Sequence, residues 1–211
     1  MKTSPRFISI LKASLSMLIV ITLIQAQVKD SSDPNQLINH PMPAISGTTI
    51  NGEPIDASFF KDNVVVIAFG NLSDVSSLKE IEYLNQLGHD FQGHPFKVLA
   101  VMPNTKQDVK DFNDVSATNN TESHQMRMTL QLPVMEYPVM ATCDKRNADK
   151  SLQPACDNVV KDFLISDYPL ICVVDKTGTV RYVHLGLPAQ DQQQDWRNLI
   201  ATQITSVLKG L

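Results

Sequence analysis

Three runs along the chain are largely apolar and rich in β-branched residues, a pattern that favours strands buried on both faces of a sheet. They are Val64–Phe69, residues 96–102 and Leu170–Val174. A helical pattern separates the first two runs, which predicts a parallel pair joined by a right-handed crossover. A short turn separates the third run from the extended residues 180–184, which predicts an antiparallel hairpin. We expect Val64–Phe69 to be a central strand.

Between these runs lie helical patterns. Leucine and isoleucine recur every three residues from Leu78 to Leu87, which marks one face of a helix that Ser73 or Asp74 would cap. The other predicted elements are a hairpin turning at Asn51 and Gly52, helices over residues 106–112 and 159–164, a polar loop over residues 113–123, an edge strand over residues 139–141 and a C-terminal helix carrying Trp196 to Leu208. The order predicts an α/β domain over residues 41–211, with a mixed sheet, helices on both faces and an N-terminal β-hairpin.

The N-terminus has the order of a secretory signal. Lys2, Arg6 and Lys12 precede or adjoin a short apolar run that ends near Ala26, and no acidic residue occurs there. We therefore predict a signal peptide over residues 1–26 and a polar linker over residues 27–40. An uncleaved anchor is the alternative, although the run is short for a membrane span.

The predicted location follows from this signal: the periplasm in a Gram-negative bacterium, and otherwise secretion or anchoring by the signal. Because the signal carries three basic residues and no acid, its removal takes the formal net charge from −4 to −7. A mildly acidic exported chain is expected to bind neither nucleic acid nor, after cleavage, a membrane.

Two local motifs carry a resemblance to a known family. Tyr168-Pro169 precedes an apolar strand, the turn Asp175 to Gly178 and the later Gly186, while VVVIAFGNLSDVSSLKEIEYLNQL is similar to a strand, a W-C-x-x-C turn and a first long helix. Together they resemble the thioredoxin-like fold in its redoxin version, the TlpA-like and AhpC/TSA families. The resemblance implies a three-layer fold and a cis peptide bond before Pro169, beside the active site.

The chain departs from this family at the active-site turn. In the alignment the two cysteine positions fall on Asp74 and Ser77, and no cysteine occurs anywhere from Met1 to Thr142. Thiol exchange and peroxide reduction both need a thiolate, which a carboxylate and a hydroxyl cannot supply. Asp74 is predicted to cap the helix, where the helix dipole favours a negative charge.

Three cysteines remain, and their roles stay open at this point. Cys143 and Cys156 bracket a 12-residue polar segment, and a bridge between them would stabilise the fold by about 3 kcal/mol. We favour a structural disulfide over two free thiols and over a redox pair. Cys172 lies inside a predicted buried strand and is expected to pack as a small apolar residue.

No cofactor or metal site is predicted, because the five histidines are scattered and no phosphate-binding loop occurs. The leading hypothesis is a non-catalytic module that holds an extended peptide or protein partner in a groove beside Asp74, Tyr168 and Pro169. The alternative is an atypical thiol-disulfide oxidoreductase that works through Cys143 and Cys156. A third hypothesis is an inactivated domain kept as a structural piece of a larger complex.

Overall fold

The central sheet is mixed and has five strands. This computed structural model describes residues 33–116, 121–145, 147–149, 151, 156 and 158–210. The strands are β1 (Gly47–Thr48), β2 (Pro54–Ile55), β3 (Val64–Phe69), β4 (Phe96–Thr105), β5 (Val139–Cys143), β6 (Leu170–Val174) and β7 (Val180–Leu185). The strand order is β5-β4-β3-β6-β7, so β3 is central as predicted. β4 runs parallel to β3 and β5, whereas β6 runs antiparallel to β3 and β7. The small hairpin β1–β2 is antiparallel.

The helices cover both faces of this sheet. They are α1 (Ala57–Phe60), α2 (Val75–Lys79), α3 (Ile81–Asp90), α4 (Lys106–Asn113), α5 (Glu122–Thr129), α6 (Asn158–Asp162) and α7 (Gln193–Lys209). Across the described residues, no helix combines the length and apolarity that crossing a bilayer requires. The predicted signal peptide over residues 1–26 lies outside the described residues.

Alternate side chains of β3 supply the two halves of the core, because successive strand residues point to opposite faces. Val64 and Val66 belong to a buried cluster that also holds residues of α2, α3, α4 and α7. Val65 and Ile67 belong to a second cluster with Phe60 of α1 and other buried residues on the opposite face. All six residues of β3 are buried, which explains why the run is continuously apolar.

The chain before β1 is attached to the sheet. Asp33 caps a 3₁₀ helix over Pro34–Leu37, and the backbone N–H of Asn39 donates to the Val180 carbonyl at 2.7 Å. The predicted linker over residues 27–40 therefore belongs to the folded unit from Asp33 onward. Its backbone pairs with β7, a contact that a polar sequence without periodicity does not reveal.

Two helical regions differ from the prediction. The single helix expected after Asp74 is interrupted at Glu80, whose N–H donates to the Ser77 carbonyl three residues earlier at 3.3 Å, a tighter turn than the α-helix has. The helix α5 was not predicted, because its buried residues are the polar His124 and Arg127. Part of the predicted polar loop over residues 113–123 lies outside the described residues.

Candidate functional site

The site suggested by the family motifs lies where β3 ends. The register pairs Phe69, the last residue of β3, with Leu170, the first residue of β6. Gly70, which follows β3, and Pro169, which precedes β6, are therefore neighbours at this end of the sheet. Adjacent strands are generally about 5 Å apart. The fold therefore brings the Asp74 turn and the Pro169 loop to the same edge of the sheet. We call residues 70–75 together with Tyr168 and Pro169 the Pro169 groove.

Asp74 is the N-cap of α2, as predicted from the sequence. Its Oδ2 accepts from the Ser77 N–H and from the Ser77 hydroxyl, both at 2.7 Å, while Oδ1 accepts from the Ser76 N–H at 3.3 Å. Both carboxylate oxygens are thus used inside the turn. Ser77 is buried, and the side chain predicted to stand at the second cysteine position of the motif stabilises the cap.

The loop before Asp74 is held by polar contacts from neighbouring elements. The Leu72 N–H donates to Asn104 Oδ1 at 3.1 Å, and the Asn71 N–H donates to the Ser77 hydroxyl at 3.2 Å. A Cβ atom at Gly70 would lie 3.2 Å from the Ser77 Cβ, which makes glycine the residue that fits this close approach. The turn is therefore fixed to β4 and to α2.

Glu80 is a buried acid beneath this turn that the sequence prediction missed. Burial raises the pKa of its carboxyl well above the usual range, and the negative charge of Asp74 raises it further. Tyr137 is buried nearby, and its pKa is raised by burial and by the Glu80 charge. The helical spacing could have indicated this burial, because residue 80 lies on the same helical face as Leu84 and Leu87.

In the Pro169 loop, Tyr168 is half-buried and Pro169 is buried. The Tyr168–Pro169 peptide bond is cis, the form that the family resemblance implies. The Pro169 carbonyl accepts from the Gly186 N–H at 2.7 Å, whereas the Tyr168 N–H donates to Asp167 Oδ1 at 2.8 Å. Val75, the residue after Asp74, is an apolar residue that is 49% exposed.

Cys143 and Cys156 form a disulfide with a Cα–Cα distance of 4.6 Å. Cys143 ends β5 and pairs in register with Thr105 of β4, so the bridge lies at the same sheet edge as the Asp74 turn. Each cysteine is only 2% exposed. The Thr142 hydroxyl donates to the Cys156 carbonyl and ties the two ends of the loop together.

Cys172 is a free thiol in the middle of β6 and is completely buried. Burial raises its pKa far above the usual range, and a protonated thiol is a poor nucleophile. Within the described residues, no group of three or more His, Cys, Asp and Glu side chains is arranged to hold a metal ion. The thiol chemistry available to the described fold is therefore confined to the Cys143–Cys156 bridge.

Comparison with known proteins supports the same architecture. A family model described as AhpC/TSA family matches residues 38–183. Similar solved structures include a thiol:disulfide interchange protein of the thioredoxin family from Chlorobium tepidum TLS, 18% identical with a TM-score of 0.52, covering 80% of this chain and 95% of that one.

Two further structures show a similar degree of likeness. A thiol:disulfide interchange protein from Bacteroides sp. is 17% identical with a TM-score of 0.52, covering 80% of this chain and 90% of that one. A thiol-disulfide isomerase from Corynebacterium glutamicum is 12% identical with a TM-score of 0.52, covering 81% and 96%. No curated protein sequence matches at a significant level. At these identities the likeness shows the fold alone, and the predicted thioredoxin-like fold of redoxin type is confirmed.

Proposed function

This chain belongs to the AhpC/TSA family, and from that premise we propose that it is an exported member that binds an extended peptide or protein segment in the Pro169 groove without thiol chemistry at the Asp74 turn. The observation that carries the proposal is the occupation of the nucleophile position by a helix cap. Asp74 offers no sulfur, and both of its oxygens already accept hydrogen bonds.

The groove retains features that suit an extended partner. Val75, beside the Asp74 turn, is an exposed apolar residue, and Tyr168, before the cis proline, is half-buried. The family resemblance implies that the residue before the cis proline presents its backbone to a bound peptide. An apolar contact beside a backbone hydrogen-bonding segment is the usual basis for recognising an extended strand.

Export is part of the proposal and rests on the N-terminal sequence. The basic residues followed by an apolar run up to Ala26 support cleavage after that residue. N-terminal sequencing of the protein recovered from its native compartment is expected to start at Gln27. Recovery of the uncleaved chain in the membrane fraction would instead support an anchored form.

Peptide panning tests the binding role. A random peptide library is panned on the immobilised protein, and the enriched peptides are measured by fluorescence anisotropy. We expect Val75→Asp to weaken their binding by about tenfold or more, the loss typical of a central apolar contact. Val115→Asp is the matched control, because Val115 is an exposed apolar residue elsewhere on the surface, 78% exposed. Enriched peptides that bind both variants equally would show that the groove is not the site.

The alternative function is thiol-disulfide exchange through Cys143 and Cys156. It gains support from the bridge lying at the sheet edge that carries the Asp74 turn, and it is opposed by the 2% exposure of each cysteine, since exchange requires an attacking thiolate to reach a sulfur. Thiol titration with a maleimide in graded dithiol buffers distinguishes a structural disulfide from a redox-active one. A potential below about −300 mV indicates a structural bridge, whereas one between about −270 and −180 mV indicates an oxidoreductase.

A further inference from the structure

A surface cleft between β7 and the start of α7 has three aromatic rings among its seven lining residues. Its volume is about 380 Å³, and Tyr182, His184 and Trp196 line it. The His184 and Trp196 ring centroids are 5.4 Å apart, and the Tyr182 and His184 rings are parallel with centroids 6.5 Å apart. The cleft shares no lining residue with the Pro169 groove, so its role is separate from the proposed peptide binding.

Contacts of Tyr83 with α7 hold Trp196 in position. The Tyr83 ring packs on Trp196 with a centroid distance of 5.1 Å, and the Tyr83 hydroxyl donates to the Arg197 carbonyl at 2.9 Å. Trp196 is 5% exposed and is one of the residues that line the cleft. A site whose walls are already ordered loses little conformational entropy when a ligand enters.

The charge of the cleft is negative. Among the described residues, Asp195 is the one acidic side chain that lines it, and no lysine or arginine does. Burial lowers the pKa of His184, which disfavours a positive charge on its imidazole. Asp195 also lies in the first turn of α7, where the helix dipole interacts favourably with an acidic side chain.

From this combination we infer that the cleft between β7 and α7 binds the quaternary ammonium group of a small organic cation. Aromatic faces attract a cation through their quadrupole, and a nearby carboxylate adds a Coulombic attraction. Of the other lining residues, Gln192 is polar, while Pro188 and Leu199 are apolar and suit the methyl groups of such a cation.

The chain contains a single tryptophan, Trp196, so fluorescence excited selectively at tryptophan reports on the surroundings of this lining residue. The protein is titrated with choline across the millimolar range and, in parallel, with 3,3-dimethyl-1-butanol, a neutral molecule of the same shape. We expect a saturable change with choline and at least a roughly fivefold weaker response to the alcohol, in line with the strength of a cation–π contact.

Two variants connect the signal to the proposed contacts. Asp195→Asn removes the charge and keeps the size, and is expected to weaken choline binding roughly fivefold, whereas Asp191→Asn, an acid outside the lining, leaves it unchanged. Tyr182→Phe keeps the ring and is expected to bind like the parent, while Tyr182→Leu weakens binding. Equal responses to choline and the alcohol, or no saturation with choline, would overturn the proposal.

A quaternary ammonium group also occurs on lipid head groups, and one further measurement distinguishes the two sources. Phosphatidylcholine vesicles are sedimented with the protein and with Asp195→Asn. Co-sedimentation that Asp195→Asn loses would assign the cation to a lipid. Saturation by choline without co-sedimentation would assign it to a soluble molecule, and both results support the cation site.

Discussion

The backbone N–H of Tyr168 donates to Oδ1 of its neighbour Asp167 at 2.8 Å. This is the backbone group that, by family resemblance, would meet a peptide in the Pro169 groove. Asp167 itself is exposed. A bound peptide would therefore have to displace the Asp167 carboxylate before its own carbonyl could accept from Tyr168.

Removal of this internal acceptor should strengthen peptide binding. We expect Asp167→Ala to bind the peptides enriched on the parent protein a few-fold more tightly. In the parent, the peptide must replace the hydrogen bond from the Tyr168 N–H to Asp167, which contributes about 1 kcal/mol, and in the variant it need not. Fluorescence anisotropy with a labelled peptide measures the change. Asp162→Ala removes another exposed acid of the same region and should have no effect. Weaker binding by Asp167→Ala would mean that the carboxylate contacts the peptide directly.

The cap formed by Asp74 should be measurable as stability. Asp74→Ala leaves the N–H groups of Ser76 and Ser77 without their acceptor, and we expect the free energy of unfolding to fall by about 1 kcal/mol, within a range of about 0.5 to 2. Urea denaturation followed by far-ultraviolet circular dichroism measures it. Asp74→Asn, which still accepts, should recover most of the loss. A loss of equal size in both variants would show that the charge, and not the cap, matters.

Glu80 gives a pH prediction whose sign follows from its raised pKa. The folded protein holds this proton more tightly than the unfolded chain, so the stabilisation is complete below the unfolded pKa and is lost as the pH rises through the folded pKa. Glu80→Gln removes this dependence. Relative to the parent, we expect the variant to gain at least about 1.4 kcal/mol between about pH 4 and pH 8.

Urea denaturation at several pH values tests this, and Glu82→Gln provides the control because Glu82 is an exposed acid of the same helix. The control should leave the pH profile unchanged. Parallel profiles for the parent and Glu80→Gln would mean that Glu80 titrates alike in the folded and unfolded states.

The strand positions could be predicted because a strand that is buried on both faces is apolar at every position. Every residue of β3 and β6 is buried, and both strands coincide with continuous apolar runs. The cap at Asp74 was predictable for a similar reason, since it uses contacts within three residues.

The features that the sequence did not reveal depend on polar contacts between distant segments. The buried side chains of α5 both contact the Asp114 carbonyl, His124 Nδ1 and Arg127 Nη2 each at 2.8 Å, so the helix lacks an apolar stripe. Asn39 is attached to β7 through its backbone N–H, which donates to the Val180 carbonyl, and through its Oδ1, which accepts from Arg181 Nη1 at 3.1 Å. The burial of Glu80 could have been predicted only if the helical spacing had been applied to an acidic residue as well as to the leucines.

The burial of both cysteines indicates that the Cys143–Cys156 disulfide stabilises the fold and does not exchange. Replacing both Cys143 and Cys156 by serine opens a loop with a sequence separation of 13, and we expect the free energy of unfolding to fall by about 3 kcal/mol. Cys172→Ser is the comparison, since it changes a buried thiol without touching the bridge. Native protein in mild dithiol should keep the bridge, because each cysteine is only 2% exposed, and should lose it once unfolded. Rapid reduction of the native protein, with little change in stability, would instead identify an exchangeable bridge and support the oxidoreductase alternative.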